Sequence, residues 1–165
     1  MADGTIFTTG RFRVREFTRD DREPFIACHL DPVFSRHHLE HERGRAHASA
    51  VFDAFLAWQA DHPRANFQFA IAPRDDPAGY IGNVGLRTDG LRPGEGELGI
   101  EVSPAWWRRG AASEVMRSLV PWARETLRIR TFTAETMPGN RAATRLAEKF
   151  GLVPTGQTGK RRWSF

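Results

Sequence analysis

Hydrophobic positions along this chain keep two rhythms, a period of two and a period near 3.6, and the two alternate in blocks. Residues 12–17 set Phe12 and Val14 against Arg13 and Arg15, the alternation of a half-buried strand. Asp20 or Asp21 is placed to cap a helix reaching Leu30, and Asp31-Pro32 ends it, because the residue before a proline avoids helical angles. Over residues 47–60, Ala48, Val51, Phe52, Phe55, Leu56 and Gln59 recur at helical spacing. Strands are expected near 67–72, 79–87 and 97–102, separated by turn signals at Asp75-Asp76-Pro77 and Asp89-Gly90. A further helix carries Ala112, Val115, Met116, Leu119 and Ala123 on one face; Pro121 lies inside it and predicts a kink, since it deletes a hydrogen bond to the carbonyl of Arg117 at a cost of about 3 kcal/mol. A short β-rich run, Thr131 to Thr136, precedes a last helix with Ala143, Leu146, Ala147 and Phe150 on one side, and two strands close the chain. The pattern predicts an α/β fold of sandwich-like α+β layering, with a mixed, largely antiparallel central sheet of six to seven strands flanked by about four helices.

Length and composition narrow the class without naming a chemistry. The 165 residues suit one domain over 1–165, with no linker, repeat or low-complexity tract to divide it. No apolar run approaches a membrane span, and Met1-Ala2-Asp3-Gly4 lacks the basic and apolar regions of a leader, so a cytoplasmic protein without membrane association is expected. Cys28 is the one cysteine; its neighbours Phe25 and Ile26 mark a buried thiol rather than a nucleophile, and no internal disulfide can form. The 24 basic and 20 acidic residues give a net charge of +4, but Lys149 and Lys160 are the only lysines and the arginines are scattered among acids. That distribution argues against a nucleic-acid surface, while leaving a positive field that would steer a polyanion inward.

The chemistry concentrates in two segments. In the first, a strand through Glu97, Ile100, Glu101 and Val102 breaks at Ser103-Pro104 and restarts as a helix through Trp106-Trp107-Arg108-Arg109-Gly110-Ala111-Ala112-Ser113. Gly110 and two alanines let a ligand approach the backbone, the helix's first N–H groups lack partners, and the dipole favours negative charge there. An ordinary strand-to-helix turn would read the same way, so the second segment matters. There Met137-Pro138-Gly139 ends a strand and Asn140 opens a helix closed by Gly151.

Together these segments resemble the cofactor-binding core of the GCN5-related N-acetyltransferases, the GNAT superfamily, and within it the RimJ/RimL-like branch that acetylates ribosomal protein N-termini. Trp107, Gly110, Ala112 and Glu114 stand for the first motif, and Asn140, Leu146, Glu148, Lys149 and Gly151 for the second. The opening Gly10-Arg11-Phe12-Arg13-Val14-Arg15-Glu16-Phe17 is similar to that branch's first strand, so the resemblance spans nearly the whole chain.

That resemblance implies acetyl-coenzyme A as co-substrate and direct attack by an amine in a ternary complex. Its pyrophosphate would lie on the backbone from Arg109 to Ser113, including Gly110, Ala111 and Ala112, with Arg108 or Arg109 reaching phosphate oxygens. The pantetheine arm would add like a strand beside Ile100, Glu101 and Val102, with Trp107 at its edge and Asn140 opposite; Asn140 is equally a good helix cap. The acceptor, a peptide N-terminus or a small-molecule amine, must attack unprotonated. An alkylamine near pKa 10.4 is penalised by roughly 4–5 kcal/mol at pH 7, a terminal α-amine by only about 1 kcal/mol. Glu97 is the first candidate base, with Glu101 on the same strand parity in reserve. Many family members protonate the leaving thiolate with a tyrosine at the position of Ala147 and carry a serine at Ala143; both hydroxyls are missing here, so a non-catalytic acyl-CoA-binding module stays an alternative, as does a longer acyl donor. His37, His38, His41 and His47, with Glu40 and Glu42, hold enough donors to suggest a metal, but no ligand spacing is completed and no metal is expected; contact with the acceptor or a pH-sensitive surface fits better. Trp58, Trp106 and Trp122 read as packing residues. A monomer or homodimer is compatible with all of this.

Overall fold

The structure, a computed structural model, describes residues 4–165; the reading of the first three residues as lacking a leader lies outside the described residues. One sheet runs through the molecule in the order β1-β2-β3-β4-β5-β6-β8-β7. Its strands are β1 (Thr5–Thr8), β2 (Phe12–Arg15), β3 (Asn66–Pro73), β4 (Gly82–Arg87), β5 (Glu95–Val102), β6 (Thr131–Thr136), β7 (Val153–Thr158) and β8 (Lys160–Ser164). Neighbours pair antiparallel except β5 and β6, which are parallel and joined through a crossover helix. The helices are α1 (Arg22–Leu30), the single turn α2 (Pro32–Ser35), α3 (Arg45–Ala60), α4 (Ala111–Thr126) and α5 (Arg141–Lys149).

Strand parity assigns the layers. Phe12, Val14, Phe69, Ile71, Val84, Leu86, Leu98 and Val102 face one side and pack on Val115, Met116, Leu119 and Ala123 of α4. On the opposite side Ala70 meets Phe17 and the apolar faces of α1 and α3, built from Phe25, Ile26, Ala48, Phe52 and Phe55. Helix α5 contributes Ala147 to a smaller cluster with Leu152 and Trp163, whose indole N–H donates to Thr136 Oγ1 at 2.9 Å.

Several expectations are corrected. Eight strands replace six to seven, because the short Thr5–Thr8 segment pairs with β2 although its own residues are mostly half-buried. Five helices replace about four: Asp31-Pro32 does end α1, but the Asp31 carboxylate accepts the N–H groups of Val33 and Phe34 and starts α2. Strand β4 begins at Gly82 rather than residue 79, leaving Tyr80 in the approach to it. Asp21 sits at the N-cap position of α1 yet makes no cap bond. Its carboxylate instead takes a bidentate contact from Arg15, at 2.8 Å to each oxygen, and the N–H of Thr18. As expected, Pro121 lies inside helix α4, at an exposed position.

Candidate functional site

Two features define the N-terminal end of α4. Gly110 stands at its N-cap in the left-handed region, φ 72°, and Arg108 two residues earlier is also left-handed at φ 59°. For Arg108 this conformation is unusual, and it turns the chain so that the helix opens outward. The N–H groups of Ala111, Ala112 and Ser113 then have no intrahelical acceptor, while the Gly110 carbonyl takes the Glu114 N–H at 3.0 Å. Positive charge gathers around them. Arg11 donates through Nη2 to the Arg109 carbonyl at 2.8 Å, Lys149 donates to Ser113 Oγ at 3.1 Å, and the Arg109 guanidinium lies 5.6 Å from the Trp106 ring centre. Glu114 ties the turn to the N-terminal hairpin by accepting from Thr9 Oγ1, the Arg11 N–H and Arg11 Nε at 2.6, 2.8 and 2.7 Å. Partial burial pushes its carboxyl up, but these hydrogen bonds outweigh it and hold the group below its ordinary value.

Beside this end the sheet opens. Strands β5 and β6 stay in register only from Glu95↔Thr131 to Leu98↔Ala134. Beyond Leu98 they separate, and a cleft of about 80 Å³ lies between them, walled by Ile100, Met116, Thr136, Ala143, Leu146 and Ala147 among others. At the end of β5 the Trp107 indole donates to the Val102 carbonyl at 2.6 Å. Asn140 does cap α5, its side-chain oxygen accepting the Ala143 N–H at 3.1 Å. Ala147 and Ala143 face the cleft without a hydroxyl.

The other face of β5 carries the titratable groups. Gln68 Nε2 donates to Asn83 Oδ1 at 2.6 Å; Asn83 Nδ2 donates to the Tyr80 hydroxyl at 3.0 Å and to Glu101 Oε2 at 3.1 Å. The Glu101 carboxylate also meets His29 Nε2 at 3.3 Å and His38 Nε2 at 3.0 Å. Exposure falls from front to back: the side chains of Glu101, His38 and His29 are 33, 18 and 7% exposed. Burial pushes Glu101 up, but the hydrogen bonds and charge of the two histidines dominate and hold it well below the usual carboxylate range. For His29, burial pulls down and the Glu101 contacts win, leaving it raised. Burial also keeps the Cys28 thiol protonated, pushed up to about 12, and raises the Tyr80 hydroxyl well above its ordinary value.

The predicted positions thus divide. Arg108, Arg109, Gly110, Ala111, Ala112 and Ser113 meet at the helix end; Ile100, Glu101 and Val102 lie on β5 past its paired stretch, with Trp107 bonded to Val102; Asn140 caps α5, whose Ala143, Leu146 and Ala147 line the cleft. Glu97 lies elsewhere on β5, 3.6 Å from Arg87 in a cross-strand ion pair. Of the histidine-rich stretch only His38 joins Glu101; Glu42 is engaged by Lys160 at 2.9 Å and by the Leu39 N–H. His29, Asn83, Gln68 and Tyr80 were not legible as site residues, since α1, β3 and β4 read as core elements. His29 Nε2, His38 Nε2 and a Glu101 oxygen lie within 4.8 Å of one another, a span a divalent ion could use, yet both histidine–carboxylate contacts already have hydrogen-bond lengths.

Comparison with known proteins points to one family. The profile of the Acetyltransferase (GNAT) domain matches residues 11–153. The chain is 31% identical over 160 residues to an uncharacterized N-acetyltransferase of Schizosaccharomyces pombe, covering 92% of this chain and 86% of that one. It is 28% identical over 152 residues to the uncharacterized N-acetyltransferase YoaA of Bacillus subtilis, covering 92 and 84% of the two chains. The solved structure of Mycobacterium smegmatis RimJ in complex with CoA-disulfide shares its fold at a TM-score of 0.78 and 12% identity, over 100% of this chain and 90% of that one.

Proposed function

Since this chain belongs to the GNAT acetyltransferase domain family, we propose that it transfers an acetyl group from acetyl-coenzyme A to a primary amine, either a protein N-terminal α-amine or a small-molecule amine. The observation that carries the reading is the parting of β5 from β6 after Leu98 and Ala134, which leaves a cleft against α4 at Met116, on the helix whose N-cap is Gly110. The first-turn N–H groups from Ala111 to Ser113, without acceptors inside the helix, suit a pyrophosphate, with Arg108 and Arg109 as charged partners. Backbone groups of 99–102 on the parted side suit the amides of a pantetheine arm, and the Asn140 amide at the start of α5 is a further candidate partner. Attack then comes from the face of β5 that holds Glu101.

Gly99 links the two sides. It shares strand parity with Glu101, it lines the cleft, and a side chain built there would meet nothing within 4 Å. An amine can therefore approach the thioester across Gly99. The missing hydroxyls at Ala143 and Ala147 do not forbid turnover, because a thiol of pKa about 8.5 leaves without a general acid.

Isothermal titration with acetyl-CoA, followed by thiol release with peptides, polyamines and aminoglycosides, tests the reading. Micromolar binding lost in Gly110→Glu, with thiol release on one acceptor, is expected. Binding without turnover on any acceptor would favour a non-catalytic acyl-CoA-binding module, and absence of binding would end the proposal.

A further inference from the structure

We infer that His38, not a carboxylate, takes the proton from the acceptor amine, with Glu101 as the positioning residue that fixes its tautomer and His29 as the buried counter-charge of Glu101. This deepens the acetyl-transfer reading and rests on it.

The wiring of the cluster carries the inference. His29 Nδ1 lies 2.9 Å from the Phe25 carbonyl, which can only accept, so Nδ1 bears a proton. His29 Nε2 faces a carboxylate oxygen, which also only accepts when ionised. His29 is therefore protonated on both nitrogens, an imidazolium buried behind an ionised Glu101. Its lone pairs are spent, and it cannot act as a base. The Glu101 oxygens receive Asn83, His29 and His38, so the carboxylate is the least basic member of the group. His38 is different. Its Nε2 donates to Glu101 Oε1, which leaves the Nδ1 lone pair as the cluster's remaining basic site. No described residue donates to that nitrogen, and it is not among the buried polar atoms that lack a partner, so it reaches solvent on the more open side of the cluster. A carboxylate that orients one imidazole nitrogen so that the other can receive a proton is the logic of hydrolytic triads.

The step balances as follows. An alkylammonium gives one proton to His38 Nδ1, and the freed nitrogen lone pair forms the C–N bond at the thioester carbonyl. The C–S bond breaks with its electron pair going to the coenzyme A sulfur. The second proton shed by nitrogen neutralises the thiolate through solvent, and His38 returns its proton to water. The groups facing His38 that must be considered in any pH profile are Glu101 on β5, His29 on α1, and His37, Glu42 and Arg43 on its own loop, with Lys160 of β8 behind Glu42.

His38→Gln tests the assignment, since a glutamine amide still donates to Glu101 but cannot accept a proton. The probe is acetyl-CoA with whichever of spermine, serine- and alanine-initiated tetrapeptides and kanamycin gives wild type its fastest thiol release. Acetyl-CoA affinity in the variant should stay within twofold, kcat should fall about 10²-fold, the acid-side limb of the rate profile should vanish, and added imidazole should restore part of the rate to His38→Ala. Full activity in His38→Gln with an unchanged profile would overturn the assignment while leaving acetyl transfer standing. A wild type that binds acetyl-CoA but releases no thiol with any of these amines would overturn both. Nitrogen-15 spectra of the intact protein give an acceptor-independent check: His38 should carry its proton on Nε2 and His29 on both nitrogens, and a His38 protonated on Nδ1 would refute the proposal.

Discussion

On the proposed reading two glycines decide how ligands reach the site, for opposite physical reasons. At Gly110 the constraint is the backbone: φ is 72°, so any other L-residue costs roughly 1–2 kcal/mol, and a Cβ there would lie 3.8 Å from Arg11 Nη2. Gly110→Ala should lower acetyl-CoA affinity modestly and Gly110→Glu should abolish it, both read by calorimetry, with the difference reporting charge rather than strain. At Gly99 the constraint is space. Its backbone is an ordinary strand with room above it, so Gly99→Val should fold with an unchanged or slightly raised Tm. Thiol-release kinetics should nevertheless show a raised acceptor KM with the acetyl-CoA KM unaltered. A Gly99→Val enzyme with wild-type acceptor kinetics would show that the amine does not cross this face.

At the scale of elements, one buried ion pair joins three pieces of chain. Arg15 of β2 donates to Asp21 ahead of α1, to the Glu16 carbonyl, and to the Pro77 and Gly79 carbonyls of the turn leading to Tyr80. Asp21→Ala leaves the guanidinium buried without its counter-charge, a loss of about 3–5 kcal/mol; calorimetry should show a Tm lower by roughly 6–20 °C on the usual scaling for domains of this size. Pro121 acts in the other direction. It is exposed and removes a helix hydrogen bond far from Gly110, so Pro121→Ala should raise Tm while acetyl-CoA affinity stays unchanged. These elements also mark what sequence can reveal. Strand β5, α4 and α5 were legible because glycine, proline and asparagine punctuate them and their apolar spacing is regular. The charged partner of Asp21 was not, because local pattern offers a helix cap there and only the folded sheet brings Arg15 within reach. His29 was hidden for the same reason: on α1 it reads as one more buried position, and its partner Glu101 is 72 residues away by their numbering, 101 less 29.

For the whole molecule, the pair His29–Glu101 links the site to global stability, and the sign can be worked out for each partner. His29 is raised by folding, so its contribution is complete below the unfolded value near 6.5 and is lost as pH rises through the folded one. Glu101 is lowered, so its contribution is present above the unfolded value near 4.3 and is lost only as pH falls through a folded value far beneath it. Between those two limits both partners stabilise the fold. Melting temperatures followed from pH 5.5 to 9 should therefore decline on the alkaline side in wild type, and the decline should be shallower in His29→Gln, which has no charge to lose. An equal alkaline decline in both proteins would mean that His29 is neutral in the fold, and with it would go the argument that Glu101 is held as a carboxylate and that His38 keeps the free lone pair.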